Sequence, residues 1–164
     1  MLIELKNVFE NEGNTLPLVC SIDLSDVRQR GESLFLAPVS VKGEFANKLG
    51  VVTFNARAQF TYRAPCDRCA EVTERVFDIP VSHTLVCELN DEDNDDFLVV
   101  ENMKLDVDEL LRTDVLLSLP TKYLCRDDCK GLCSKCGANL NEGKCSCAKE
   151  VDPRLSALLD LMGE

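Results

Sequence analysis

The chain has 164 residues, 45% of them apolar but only 5% aromatic and none Trp, enough for one ordinary core, or a main domain with a small appendage, packed mostly with Val, Leu and Phe. A formal net charge of −11 argues against wide, sequence-independent contact with nucleic-acid phosphate and suits a basic protein partner. The opening MLIELKNVFENEG lacks a basic stretch followed by an apolar block, and no apolar run approaches spanning length, so the sequence predicts a cytoplasmic protein with no membrane contact.

Residues 2 to 36 read as short strands and turns, with a short helix expected over Asp23 to Arg30, where Asp23 is an N-cap candidate and Asp26 lies three residues on. From Val39 to Phe45 the odd positions are apolar or small, and from Val52 to Tyr62 the even ones are, with Thr53, Asn55, Arg57, Gln59 and Thr61 on the other face. That pattern predicts a half-buried hairpin joined through Ala46 to Gly50. Alternation resumes at Phe77, Ile79, Val81, His83, Leu85, Cys87 and Leu89 as a third strand, in which Pro80 implies an edge position or a bulge. His83, the single histidine, is expected to be a satisfied, half-buried residue. Cys87 and Cys20 are expected to pack in the core.

The acidic run at 88 to 96 reads as a solvated loop. Its Asp91, Asp93 and Asp95 imitate the start of a calcium loop, but Asp96 stands where glycine is needed and Asn102 where glutamate is. Asp106 is an N-cap candidate, with Glu109 three residues later, for a helix carrying Val107, Leu110, Leu111, Val115 and Leu117 and ending by Pro120. A last amphipathic helix is expected from Asp152 and Pro153, with Leu155, Leu158, Leu159 and Met162 on one stripe. These elements make an α+β fold: a mostly antiparallel β-rich body over 1–120 that ends in a helix, a cysteine-rich zinc-binding segment over 121–149, and a helix over 150–164.

The chemistry lies in the ten cysteines. In a reducing compartment, C-x-x-C clusters are metal ligands more readily than a disulfide framework. Four pairs stand out: Cys66 with Cys69, Cys125 with Cys129, Cys133 with Cys136, and Cys145 with Cys147. Eight thiolates make two four-cysteine zinc sites. Local spacing favours one from Cys133, Cys136, Cys145 and Cys147, leaving Cys66 and Cys69 to meet Cys125 and Cys129 across the sequence. The alternative is a single zinc held by four of the six downstream cysteines, with Cys66 and Cys69 as spare thiols. Either way four thiolates close the coordination shell, which implies structural zinc and no catalytic water. With two ions bound, the net charge would be about −15.

The segment CRDDCKGLCSKCGANLN, the upstream CDRC and the tail DPRLSALLDL together resemble the bacterial YceD family, the large ribosomal RNA subunit accumulation proteins, in the zinc-motif form similar to the YlbN proteins of Gram-positive bacteria. The resemblance implies a ribosome-biogenesis role in the accumulation or maturation of large-subunit ribosomal RNA, and brings no reaction with it. It implies a basic ribosomal protein or a large-subunit precursor as partner, with no small-molecule substrate. Some members look different downstream, where the second cysteine cluster can be missing, which would make the Cys133 to Cys147 site an added stabiliser.

Three functions then compete. The first is a non-enzymatic ribosome-assembly factor. Arg68, Lys130 and Lys135 are its candidate RNA- or partner-facing residues, although solvation, or balance of thiolate charge, is the plainer reading of those cations. A thiol oxidoreductase at Cys66 and Cys69 would need a βαβ setting, and the flanks read as antiparallel strands. A zinc-ribbon regulator lacks a basic recognition helix. No G-x-S-x-G, P-loop or H-E-x-x-H occurs, so no enzyme activity is expected.

Overall fold

The structure is a computed structural model that describes residues 1–88 and 97–147. Residues 89–96 of the acidic run, with Asp91, Asp93 and Asp95, and the helix expected from Asp152, fall outside the described residues.

In chain order the elements are β1 (Leu2–Glu4), α1 (Lys6–Glu10), β2 (Thr15–Ile22), β3 (Arg28–Gln29), β4 (Glu32–Ser33), β5 (Val39–Lys48), β6 (Val51–Pro65), β7 (Val72–Val86), β8 (Phe97–Val99), a 3-10 turn (Glu101–Met103), β9 (Lys104–Asp106) and α2 (Val107–Ser118). This is the expected α+β class. The main sheet runs β2-β5-β6-β7-β8, while β1 with β9 and β3 with β4 form separate two-stranded ribbons. The chain divides into two units, one of 1–64 with 72–123, the other of 65–71 with the residues from 124 onward.

The β5–β6 hairpin forms where the alternation places it. Val39, Val41, Phe45, Val52, Phe54, Ala58 and Phe60 are all buried. Phe45 pairs directly with Phe54 across the strands, and their rings stack at 4.4 Å and 16°, an offset-stacked aromatic pair at the sheet centre. Gly43 pairs with Ala56, and a Cβ at Gly43 would lie 2.4 Å from that of Ala56, so the strand needs glycine there. The connection is tighter than the Ala46-to-Gly50 loop expected. Lys48 already pairs with Val51, and Leu49 and Gly50 take φ of 54° and 81°, the two positive values of a type I′ turn.

Strand β7 begins at Val72 and ends at Val86. The short β8 pairs with it in parallel, over Thr84 to Val86 only. Among the described residues the outer edge of β7 at Pro80 therefore has no partner strand, and the missing N–H needs none. His83 Nε2 lies 2.8 Å from Asp114 Oδ2, with the ring 28% exposed, a satisfied, half-buried histidine. Cys20 packs partly buried against the core. Cys87 does not pack in the core: it stands exposed, one residue past the end of β7, because the strand stops before the alternation does.

Two elements differ from the sequence pattern. No helix forms over Asp23 to Arg30. Asp23 accepts the Ser25 N–H at 2.9 Å, so the side chain read as a helix cap closes a turn. Arg28 and Gln29 then pair with Ser33 and Glu32 around Arg30 and Gly31, whose φ values of 53° and 88° again make a type I′ turn. Conversely, α1 forms where only strands and turns were expected. Its last carbonyls are held from a distance: buried Asn47 donates Nδ2 to Val8 O (2.8 Å) and Phe9 O (3.3 Å) and accepts the Gly50 N–H at 3.1 Å.

Helix α2 starts at its expected cap, Asp106, whose side chain accepts the Asp108 N–H. It buries Val107, Leu111 and Val115 in the core, whereas Leu117, named with them among the helix's apolar residues, is 79% exposed. No helix among the described residues is long and apolar enough to cross a membrane.

Candidate metal centre

Each C-x-x-C sequence folds into the same small turn. In the first, the Ala70 N–H bonds Cys66 O at 2.8 Å and the Cys66 N–H bonds Glu71 O at 2.9 Å; in the second, the Gly137 N–H bonds Cys133 O at 2.9 Å and the Cys133 N–H bonds Ala138 O at 2.8 Å. The residue after the second cysteine is left-handed in both, φ 60° at Ala70 and 71° at Gly137. The turn leaves backbone N–H groups free to face the first sulfur, and the Arg68 N–H approaches Cys66 Sγ at 3.5 Å. Glycine suits the left-handed position; Ala70 occupies it against its own preference.

The eight paired cysteines gather into two groups of four, Cys66, Cys69, Cys125 and Cys129, and Cys133, Cys136, Cys145 and Cys147, the sulfurs of each lying within 4.8 Å of one another. In the first group, here called the inner site, Cys66 Sγ is 3.8 Å from Cys129 Sγ and Cys69 Sγ is 3.6 Å from Cys125 Sγ. Those separations are far beyond a disulfide bond. They match the edge of a tetrahedron with metal–sulfur bonds of about 2.3 Å, which is about 3.8 Å. Both groups could therefore hold a metal ion. Cys66, Cys69 and Cys129 of the inner site are buried, whereas the outer site is open, with Cys136 exposed and its other three cysteines half-buried.

The thiols of each group are not equivalent. Burial pushes Cys66 up, but backbone N–H groups that include those of Cys69 and Arg68 outweigh it and bring its pKa to about 6. Cys125 is driven up to about 12, first by burial and then by the neighbouring thiols. At the outer site, backbone N–H groups of Cys136 and Lys135 lower Cys133 to about 6, while Cys136 chiefly drives Cys147 up to about 12. Each group thus pairs a thiol that ionises readily, Cys66 or Cys133, with one that resists ionisation, Cys125 or Cys147. A dication is the species that lets all four be thiolates together.

A layer of hydrogen bonds surrounds the inner sulfurs. Arg68 Nη1 donates to Cys129 O at 2.8 Å, the Leu132 N–H bonds Arg68 O at 3.0 Å, and Asn141 Nδ2 donates to Cys129 Sγ at 3.3 Å, which lowers the Cys129 pKa. Gly131, with φ of 75°, passes so close that a Cβ there would sit 3.0 Å from Arg68 O. Of the three cations singled out in the sequence, Arg68 thus braces the site, while Lys130 and Lys135 are exposed. Asn141 and Ala70 carry no signal in the sequence: an asparagine in a polar loop and an alanine after a C-x-x-C are both unremarkable residues.

A family model described as "Large ribosomal RNA subunit accumulation protein YceD" matches residues 54–162. The chain is 42% identical over 50 residues to a protein of Arabidopsis thaliana named "Large ribosomal RNA subunit accumulation protein YCED homolog 1, chloroplastic", a stretch that covers 30% of this chain and 16% of that protein. It is 27% identical over 146 residues to the uncharacterized protein YlbN of Bacillus subtilis, covering 84% of this chain and 78% of that one. An uncharacterized protein of Mycobacterium tuberculosis is 34% identical over 59 residues, 36% of this chain and 28% of its own. No solved structure matches the chain. The matched family region takes in both C-x-x-C turns and all eight clustered cysteines, and the chain belongs to the YceD family.

Proposed function

We propose that the protein is a non-enzymatic ribosome-biogenesis factor that supports the accumulation or maturation of large-subunit ribosomal RNA, with structural zinc in both four-cysteine sites. Membership of the YceD family, over residues 54–162, is the observation that carries this reading. All-sulfur ligand sets, with inner-site separations of 3.6 and 3.8 Å near a tetrahedral edge, favour zinc, and four thiolates leave no coordination position for water or substrate.

The partner is a basic ribosomal protein or a precursor of the large subunit, met in the cytoplasm by an acidic chain of formal charge −11. Lys130 and Lys135 supply the local positive charge for any direct RNA contact. The test is a strain lacking the gene, complemented with the wild-type chain or with a Cys66→Ala, Cys69→Ala variant. A fall in large-subunit relative to small-subunit ribosomal RNA, restored by wild type, supports the reading; an unchanged ratio sinks it.

A further inference from the structure

The outer site lies within one contiguous stretch, and residues 137 to 144 between Cys136 and Cys145 form its loop. Asn141 sits in that loop but bonds a ligand sulfur of the other site, Cys129, at 3.3 Å. Every polar atom of the amide is committed. Oδ1 accepts the Lys130 N–H at 2.8 Å, which turns Nδ2 towards the sulfur, and Nδ2 also donates to Asn139 Oδ1 at 2.9 Å. The Leu140 N–H bonds Gly131 O at 2.9 Å, so the loop is laid along the backbone that follows Cys129. Leu132, in the same backbone, pairs with Asn139.

We propose that Asn141 couples the two four-cysteine sites, so that filling the outer one strengthens metal binding at the inner one. Four thiolates around a dication carry a net charge of −2, and an N–H donated to one sulfur spreads that charge and holds the ligand in place. A metal at the outer site pins both ends of the 137–144 loop, through Cys133 and Cys136 on one side and Cys145 and Cys147 on the other. The pinned loop presents Asn141 already oriented, so the inner site gains a donor without ordering it. By linkage the help is mutual: a filled inner site favours the outer one by the same factor. This goes beyond the proposed function and rests only on the clusters holding metal.

The test is titration of the metal-stripped full chain with cobalt(II), whose thiolate absorption reports each filled site, in competition with a chelator. A Cys66→Ser, Cys69→Ser variant identifies the outer signal and a Cys145→Ser, Cys147→Ser variant the inner one. Asn141→Asp keeps the acceptor for Lys130 N–H and the shape of the side chain, but removes the donor to sulfur. The expected result is inner-site affinity lowered about 10- to 100-fold in Asn141→Asp, while outer-site affinity measured in the Cys66→Ser, Cys69→Ser background is unchanged by it. Removing the outer ligands should lower the inner affinity similarly, and adding Asn141→Asp to that variant should change nothing more. Three outcomes overturn the proposal: unchanged inner affinity in Asn141→Asp, an outer site weakened by Asn141→Asp even in the Cys66→Ser, Cys69→Ser background, or losses that multiply independently. A wild-type chain that takes up no metal overturns it together with the zinc reading.

Discussion

Cys69 Sγ lies 3.6 Å from Cys125 Sγ although 56 residues separate them in the chain. Two metal ions per chain are therefore expected on elemental analysis of the purified protein, falling to one in a Cys66→Ala, Cys69→Ala variant. A single ion unaffected by that variant would show that the downstream cysteines act alone. Zinc predicts a colourless protein, whereas iron in the same four-sulfur setting would absorb in the visible.

The twin turns give an internal comparison. Ala70 holds a left-handed φ of 60° and Gly137 one of 71°. Ala70→Gly should stabilise the metal-loaded protein by about 1 kcal/mol and Gly137→Ala should destabilise it by a similar amount. Chemical denaturation of the zinc-loaded chains measures both, and equal, same-sign effects would refute the equivalence of the turns.

In the sheet, Gly43→Ala should cost about 1–3 kcal/mol or more, since the new methyl would meet the backbone and side chain of Ala56 and neither can move aside without breaking the ladder. The urea midpoint should fall. A midpoint unchanged from wild type would mean that β5 and β6 separate more easily than their pairing implies.

Asn47→Ala should destabilise by about 1–3 kcal/mol, because Val8 O is left buried without its donor. Amide exchange should accelerate in residues 6–10 first. Uniform acceleration across the sheet would instead indicate that Asn47 acts on the whole fold.

The Asp26–Arg112 pair predicts a pH signature. Two hydrogen bonds from the guanidinium, at 2.6 Å and 3.0 Å, hold the Asp26 carboxyl below its usual value. A depressed carboxyl contributes stability above its unfolded pKa of about 3.9 and loses it as pH falls through the folded value. The difference in urea midpoint between wild type and Arg112→Gln should therefore be steady from pH 5 to 7 and shrink below about pH 4. A difference that persists in acid would assign the effect to packing of the arginine stem.

The sequence reveals most where the physics is local and periodic. Alternation from Val39 to Tyr62 gives the hairpin and its buried face, and Asp106 announces α2, because each signal lies within a few residues of its consequence. Cysteine spacing groups the sulfurs in pairs for the same reason. Where one side chain can serve two structures the reading slips: Asp23 caps a turn as readily as a helix, and the choice falls to Arg30 and Gly31 further on. Asn47 and Asn141 are illegible because their partners are distant backbone carbonyls and a sulfur that only the folded chain brings near. Cys87 follows the strand rhythm one step past where the strand ends.

The discontinuous origin of the inner site also sets an order of events during synthesis. Cys66 leaves the translating ribosome 63 residues ahead of Cys129, an interval of roughly 3–13 s at ordinary elongation rates. Through that interval the first turn displays two thiols without partners, while the outer site, encoded in one stretch, can close within moments of Cys147 emerging. With metal in both groups as proposed, the nascent chain passes through a window between its two cysteine segments in which the first thiols are open to oxidation or to another metal, a window that the finished protein no longer shows.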